Sequence, residues 1–188
     1  MTTGEWAGAL RDVFGSYRAP TGVGEAAAPA VGDELTELRD EVARVSEQLG
    51  RTLKILVGKP GLDGHSNGAE QIAVRARDIG MDVVYEGIRL TPAQIARSAV
   101  DEGVHVIGLS ILSGSHRSLI PDVIEALREA GGEDIPVVVG GIIPEADVEP
   151  LKSAGVAAVY TPKDFELTRI MRAVVGLVAE RNGVTEPA

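Results

Sequence analysis

Cysteine is absent from the 188 residues, which excludes disulfides and thiolate metal sites and accords with a cytoplasmic protein. Aromatic residues are scarce at 3%, so a core must be built from Val, Ile, Leu and Ala, the side chains that suit a parallel sheet covered by helices. Basic residues are outnumbered, 18 against 28 acidic ones; a net charge of −10 argues against nucleic acid and against an anionic membrane surface as partners. No apolar run approaches the length of a membrane span, and the N-terminus lacks the basic-then-apolar pattern of a signal peptide. The three histidines, His65, His105 and His116, have no paired metal-binding spacing. The chain also has no GxGxxG and no Walker lysine followed by Ser or Thr, so the common phosphate-binding loops are excluded. There is no internal repeat.

What is present is a regular alternation. Apolar strand runs fall at Leu53–Val57, Met81–Tyr85, Val104–Leu109, Pro136–Val139 and Val156–Tyr160. Helical segments lie near Ala69–Ile79, Pro92–Glu102, Ser115–Ala130, Glu145–Ser153 and Leu167–Arg181. Thr91 before Pro92 reads as a cap followed by a first-turn proline, and Pro144 is expected to act as a first-turn proline too. Short crossovers of this kind favour right-handed βαβ units, and five strands with five helices predict an α/β, flavodoxin-like (Rossmann-like) parallel sheet of order 2-1-3-4-5. In that order the binding crevice opens where strands 1 and 3 diverge.

Ahead of this domain, residues 1–50 read as a helical extension. Trp6, Leu10, Val13, Phe14 and Tyr17 share one helical face, which either packs on its own domain or docks on a partner. Residues 19–32 mix Pro, Gly and Ala without periodicity and read as a linker. Asp33 is expected to cap a connector helix whose apolar positions are Leu35, Leu38, Val42, Val45 and Leu49, with Gly50 closing it. The expected division is extension 1–50, domain 51–182 and tail 183–188.

The stretch Lys54 to Gly68, KILVGKPGLDGHSNG, organises the domain. It begins as a buried strand and breaks into a loop with Gly58, Pro60, Gly61 and Gly64, and a helix follows. Asp63 and His65 stand two apart at the loop tip. Taken alone, Asp63 reads as a turn-former and His65 as a solvent-facing or satisfied histidine. His105, at a strand start, reads as structural. His116, opening a helix beside the crevice, is expected to be structural rather than a ligand contact. A phosphoacceptor receiver shares the strand order but needs an acidic pair after strand 1 and an aspartate after strand 3. Here those places hold Gly58-Lys59-Pro60 and Ser110.

Asp63-x-His65-x-x-Gly68, Ser110-x-Leu112 and Gly140-Gly141, in this order, resemble the three-part signature of the cobalamin-binding domain. That family spans coenzyme B12-dependent acyl-CoA mutases and corrinoid methyltransferases, and the resemblance covers about residues 52 to 182. It implies that the cofactor binds with its own base displaced and that His65 coordinates cobalt as a neutral imidazole. Asp63 would then accept the other ring N–H, and Lys59 would bond or balance Asp63. The resemblance places the displaced nucleotide tail beside Gly68, Ser110 and Leu112, with Gly140 and Gly141 leaving room for its base.

Methyltransferase and photoreceptor members carry helical domains that fifty residues are too few to supply. GKPGLDGH, GLSILSGSH and GGIIPEADVEPLKSAGV resemble the mutase branch instead, and GLDGHSNGAEQIAVRARD, YEGIRLTPAQI and VYTPKDF resemble its ethylmalonyl-CoA members. The methylmalonyl-, isobutyryl- and 2-hydroxyisobutyryl-CoA mutases are alternatives. The resemblance implies adenosylcobalamin as cofactor and a (β/α)8 barrel domain or large subunit as partner, which would bind the acyl-CoA. No catalytic residue is expected in this chain, which alone should be inactive. A free-standing cobalamin carrier or sensor, or a corrinoid methyl carrier, is the other class of function.

Overall fold

The computed structural model describes residues 8, 13, 30–62, 64, 67–112, 114–164 and 166–184. Residues 1–32 and 33–188 form separate compact units. In the first, Gly8 and Val13 are helical, while Trp6, Leu10, Phe14 and Tyr17 lie outside the described residues.

The elements are α1 (Ala30–Leu49), β1 (Lys54–Gly58), α2 (Asn67–Asp78), β2 (Asp82–Tyr85), α3 (Pro92–Asp101) and β3 (Val106–Ile111). They continue with α4 (His116–Glu129), β4 (Val137–Gly141), α5 (Glu145–Ser153), β5 (Ala158–Tyr160) and α6 (Leu167–Arg181). The five strands form a parallel sheet of order β2-β1-β3-β4-β5, the expected flavodoxin-like arrangement.

Strand alternation divides the core. Ile55, Val57, Val106 and Val138 face α1, α2 and α6, where Leu38, Val42, Ala73, Met171 and Val175 complete one buried cluster. Leu56, Ile107, Leu109, Val137 and Val139 face α3, α4 and α5, where Ile95, Ile120, Val123 and Leu151 complete the other. The largest fully buried side chains among the described residues are aliphatic or Met, apart from Lys59.

Three local expectations need correction. α1 begins at Ala30, so Asp33 is not its cap but an acid in its first turn, still favourably placed against the helix dipole. Pro144 is itself the extended cap of α5, with ψ 142°, rather than a first-turn residue. β3 starts two residues later than its apolar run, because Ile55 pairs with Val106 and Gly141 with Ile111. Val104 and His105 are buried but precede that ladder. Gly50 does close α1, at φ 69°, with its N–H bonded to the Glu47 carbonyl.

Candidate functional site

The order in which strands are added reverses between β1 and β3: the chain leaves β1 toward β2 and leaves β3 toward β4, so two loops part at the carboxyl edge of the sheet. Beneath them, on the face covered by α2 and α6, lies a slot of about 280 Å³. Its floor is Ile55 and Val57 of β1, Ser110 of β3, and Val138 and Gly140 of β4. Gly68, Ala69 and Ile72 of α2 form one wall; Leu167, Ile170, Met171 and Val174 of α6 form the other. Leu112, Gly141 and Tyr160 surround the mouth with Thr161 and Asp164.

Glycine keeps this slot open. A Cβ on Gly68 would sit 3.5 Å from Ser110 Oγ, and one on Gly140 would point onto the floor 3.9 Å from the Tyr160 Cβ. Gly141 has a different constraint. Its φ of 147° and its closeness to the Ile111 backbone leave no room for any side chain.

The loop after β1 is held from both sides. Pro60 bridges to Leu90; the Gly61 N–H donates to the Leu90 carbonyl at 2.9 Å, and the Leu90 N–H donates to the Lys59 carbonyl at 3.1 Å. Leu90 itself precedes α3, whose capping box joins Thr91 and Gln94. Lys59 is fully buried, and its Nζ donates to the Ser110 carbonyl at 3.3 Å, tying the β1 loop to the end of β3. Leu62, next along, is 88% exposed.

Of the residues singled out in the sequence, Gly68, Ser110, Leu112, Gly140 and Gly141 come together around one slot, with Lys59 bonded directly behind it. Asp63 and His65 lie outside the described residues. Among the described residues no group of three His, Cys, Asp or Glu side chains is placed to hold a metal ion. No helix among them is long and apolar enough to cross a membrane.

Sequence reasoning missed the contribution of α6 and of the β5 end. The apolar stripe Leu167, Ile170, Met171, Val174 reads as ordinary core, and only the third dimension shows that part of it faces a cavity. Tyr160 reads as the end of a strand; burial, helped by the Asp164 charge, pushes its hydroxyl pKa upward.

Two histidines sit away from the slot. His105 is buried at the amino end of β3, where its Nδ1 accepts the Lys54 N–H at 2.9 Å, as a structural histidine should. Burial and the Arg51 charge hold its pKa below the ordinary value. His116 is buried at the start of α4 on the opposite face from the slot, its Nε2 2.7 Å from Asp147 Oδ2. Arg117 donates to the other carboxylate oxygen through Nε at 3.0 Å and Nη2 at 2.6 Å. Asp147, itself buried, is thereby held below the usual carboxylate range, first by Arg117 and then by His116. Nothing in the sequence linked Asp147 to residues thirty positions earlier.

Residues 53–166 match the B12 binding domain family. The chain is 63% identical over 178 residues to ethylmalonyl-CoA mutase of Cereibacter sphaeroides, covering 94% of this chain and 27% of that protein. It is 57% identical to ethylmalonyl-CoA mutase of Methylorubrum extorquens, covering 96% of this chain and 26% of that protein. Methylmalonyl-CoA mutase of Rhizobium meliloti is 43% identical, over 94% of this chain and 25% of that one. The chain therefore spans about a quarter of the curated relatives it matches. Among solved structures, a cobalamin-binding protein from Desulfitobacterium hafniense superposes with a TM-score of 0.56 at 16% identity, covering 93% of this chain and 76% of that one. The receiver domain of the response regulator NarL from Mycobacterium tuberculosis gives 0.50 at 20% identity, over 67% of this chain and 95% of that one, and shares the fold alone. The matched residues contain every strand and the whole floor of the slot, and on that match the chain belongs to the B12-binding domain family.

Proposed function

We propose that this chain binds adenosylcobalamin, with the nucleotide tail in the slot and His65 toward cobalt in place of the cofactor's own base. It then presents the cofactor to a (β/α)8 barrel that binds an acyl-CoA. The reaction is a carbon-skeleton isomerisation of the ethylmalonyl-CoA to methylsuccinyl-CoA type. Identities of 63% and 57% to ethylmalonyl-CoA mutases, against 43% to a methylmalonyl-CoA mutase, favour that branch.

The observation that carries the proposal is the slot itself. A nucleotide tail ending in a flat bicyclic base needs apolar surface, clearance at a few points of close approach and a few polar groups. Ile55, Val57, Val138 and Met171 supply apolar surface, Gly68 and Gly140 supply clearance, and Ser110 supplies a hydroxyl. The volume, about 280 Å³, falls just below the roughly 300–1,000 Å³ typical of small-molecule sites. The rest of a larger ligand would lie outside, over exposed Leu62 and Ile142.

Each residue has a part. Gly68 lets the tail pass between α2 and β3, Leu112 packs at the mouth, and Gly140 and Gly141 leave the β4 end open. Lys59 holds the β1 loop against β3 and is positioned in sequence to balance Asp63. Asp63 fixes the His65 tautomer. The cofactor supplies the radical chemistry when bound; this chain binds and orients it. CoA and acyl recognition belong to the barrel.

The test is an EPR spectrum of cob(II)alamin bound to the uniformly 15N-labelled chain. An axial splitting from 15N, lost in His65→Ala, is the expected result. A 14N splitting would mean that the cofactor keeps its own base, and the proposed binding mode would be wrong. Isomerase activity of the chain without a barrel would equally overturn the division of labour.

A further inference from the structure

From the His116–Asp147–Arg117 cluster we infer a positioning device for the loop that carries His65; this rests on the reading of His65 as the cobalt ligand given above. The cluster joins the first turns of α4 and α5 through one carboxylate. Asp147 faces His116 Nε2 at 2.7 Å on one oxygen and Arg117 at 2.6 and 3.0 Å on the other. Both His116 and Asp147 are at least nine-tenths buried, and His116 Nδ1 has no hydrogen-bond partner among the described residues.

Stability alone explains this cluster poorly. Asp147 and His116 are buried, but the Arg117 side chain is 75% exposed, so water screens much of that ion pair, and the orphaned buried nitrogen is a direct cost. What the network gives is one defined geometry, because its donors fit the carboxylate in a single arrangement. The geometry it fixes is that of the first turn of α4, and that turn touches the β1 loop. Leu119 lies three residues after His116, and its Cδ1 is so close to Gly61 that a Cβ there would fall 2.6 Å from it. Gly61, at φ 82°, is bonded on its other side to the Leu90 carbonyl. The root of the loop leading to Asp63 and His65 is therefore pressed between Leu90 and Leu119. Leu90 is set by the start of α3, and Leu119 by the cluster.

The cluster makes no contact with the slot, so its effect on the ligand passes through Leu119 and Gly61. Asp147 and His116 are positioning residues for the cobalt-ligating loop, acting from the far face of the sheet.

The test uses the full chain and cob(II)alamin, with five variants: Asp147→Asn, Leu119→Ala, the pair together, and His116→Gln beside His116→Ala. Urea midpoints establish that each is folded at the temperature of the titration. Asp147→Asn and Leu119→Ala are each expected to weaken binding about two- to thirtyfold and to lower the share of the axial signal that comes from protein nitrogen. The pair should lose little more than the worse single variant, because both act through one contact. His116→Gln, which keeps an N–H donor for Asp147, should bind near the wild-type level where His116→Ala does not. Losses that multiply in the pair, or an unchanged affinity in folded Asp147→Asn, would overturn the inference. If the wild-type spectrum shows no protein nitrogen, the His65 reading fails, while the affinity cycle still decides whether the cluster acts through Leu119.

Discussion

The carbonyl oxygen of Ile111 occupies the space that a side chain on Gly141 would need: a Cβ there would lie 1.8 Å from it. These two residues are partners in the β3–β4 ladder, so neither can move without breaking the pairing. Gly141→Ala is therefore expected to cost at least about 3 kcal/mol, combining a disfavoured φ with an unrelievable overlap. Gly140→Ala, one residue earlier, meets nothing closer than 3.9 Å and should stay folded, but its methyl group narrows the floor. Urea denaturation and a cobalamin titration of both variants separate the two glycines: the first loses the fold, the second loses the ligand.

Gly68 offers the opposite pairing of signs. It stands in the first turn of α2 with ordinary contact distance to Ser110, so alanine there fits the helix and gains roughly 0.5–1 kcal/mol from reduced backbone freedom. The same methyl group projects toward the slot. Gly68→Ala should melt higher and bind cobalamin more weakly, as measured by thermal denaturation without ligand and by titration.

Thr91 caps α3 in a reciprocal arrangement: the Gln94 N–H donates to Thr91 Oγ1 at 3.2 Å, and the Thr91 N–H donates to Gln94 Oε1 at 2.8 Å. Thr91→Ala is expected to cost about 1 kcal/mol and to lower Tm by about 2–4 °C. Leu90, which pairs with the β1 loop, precedes this cap directly. Hydrogen exchange should accordingly rise at the Gly61 amide as well as in the first turn of α3.

His105 sets a pH dependence at the amino end of the sheet. Burial, then the Arg51 charge, lowers its pKa. As pH falls, the unfolded chain takes up this proton first. The stability His105 provides is complete above its unfolded value near 6.5 and is lost as pH drops from there toward the folded value. His105→Asn retains an acceptor for the Lys54 N–H without titrating. Urea midpoints between pH 7.5 and 5 should fall less steeply in that variant than in the wild type.

Much of this was legible in the sequence because it depends on near neighbours. Apolar runs of four to six residues between helical segments were enough for the sheet order, and Thr91-Pro92 marked the start of α3. The five slot residues stood at or just beyond strand ends, in an order and spacing that matched a known signature. What escaped depends on distant partners. The bounds of β3 are fixed by Ile55 at its start and Gly141 at its end, not by the hydrophobicity of Val104. Asp147 looked like one acid of several in α5 until folding brought it to His116 and Arg117, and Met171 and Val174 looked like core until the cavity between α6 and the sheet appeared.

That cavity is continuous with the hydrophobic cluster that holds α2 and α6 to the sheet, since Ile55, Val57, Ala69, Val138, Met171 and Val174 belong to both. A ligand entering it completes the interior of the protein. Occupancy and folding are then one equilibrium: at a free ligand concentration a hundred times Kd, the filled chain gains about 2.7 kcal/mol over the empty one. The melting temperature of the domain becomes a gauge of how much of its cofactor it holds. In a cell short of that cofactor, the empty form would be the one first exposed to proteolysis, beginning where α2 and α6 have least between them.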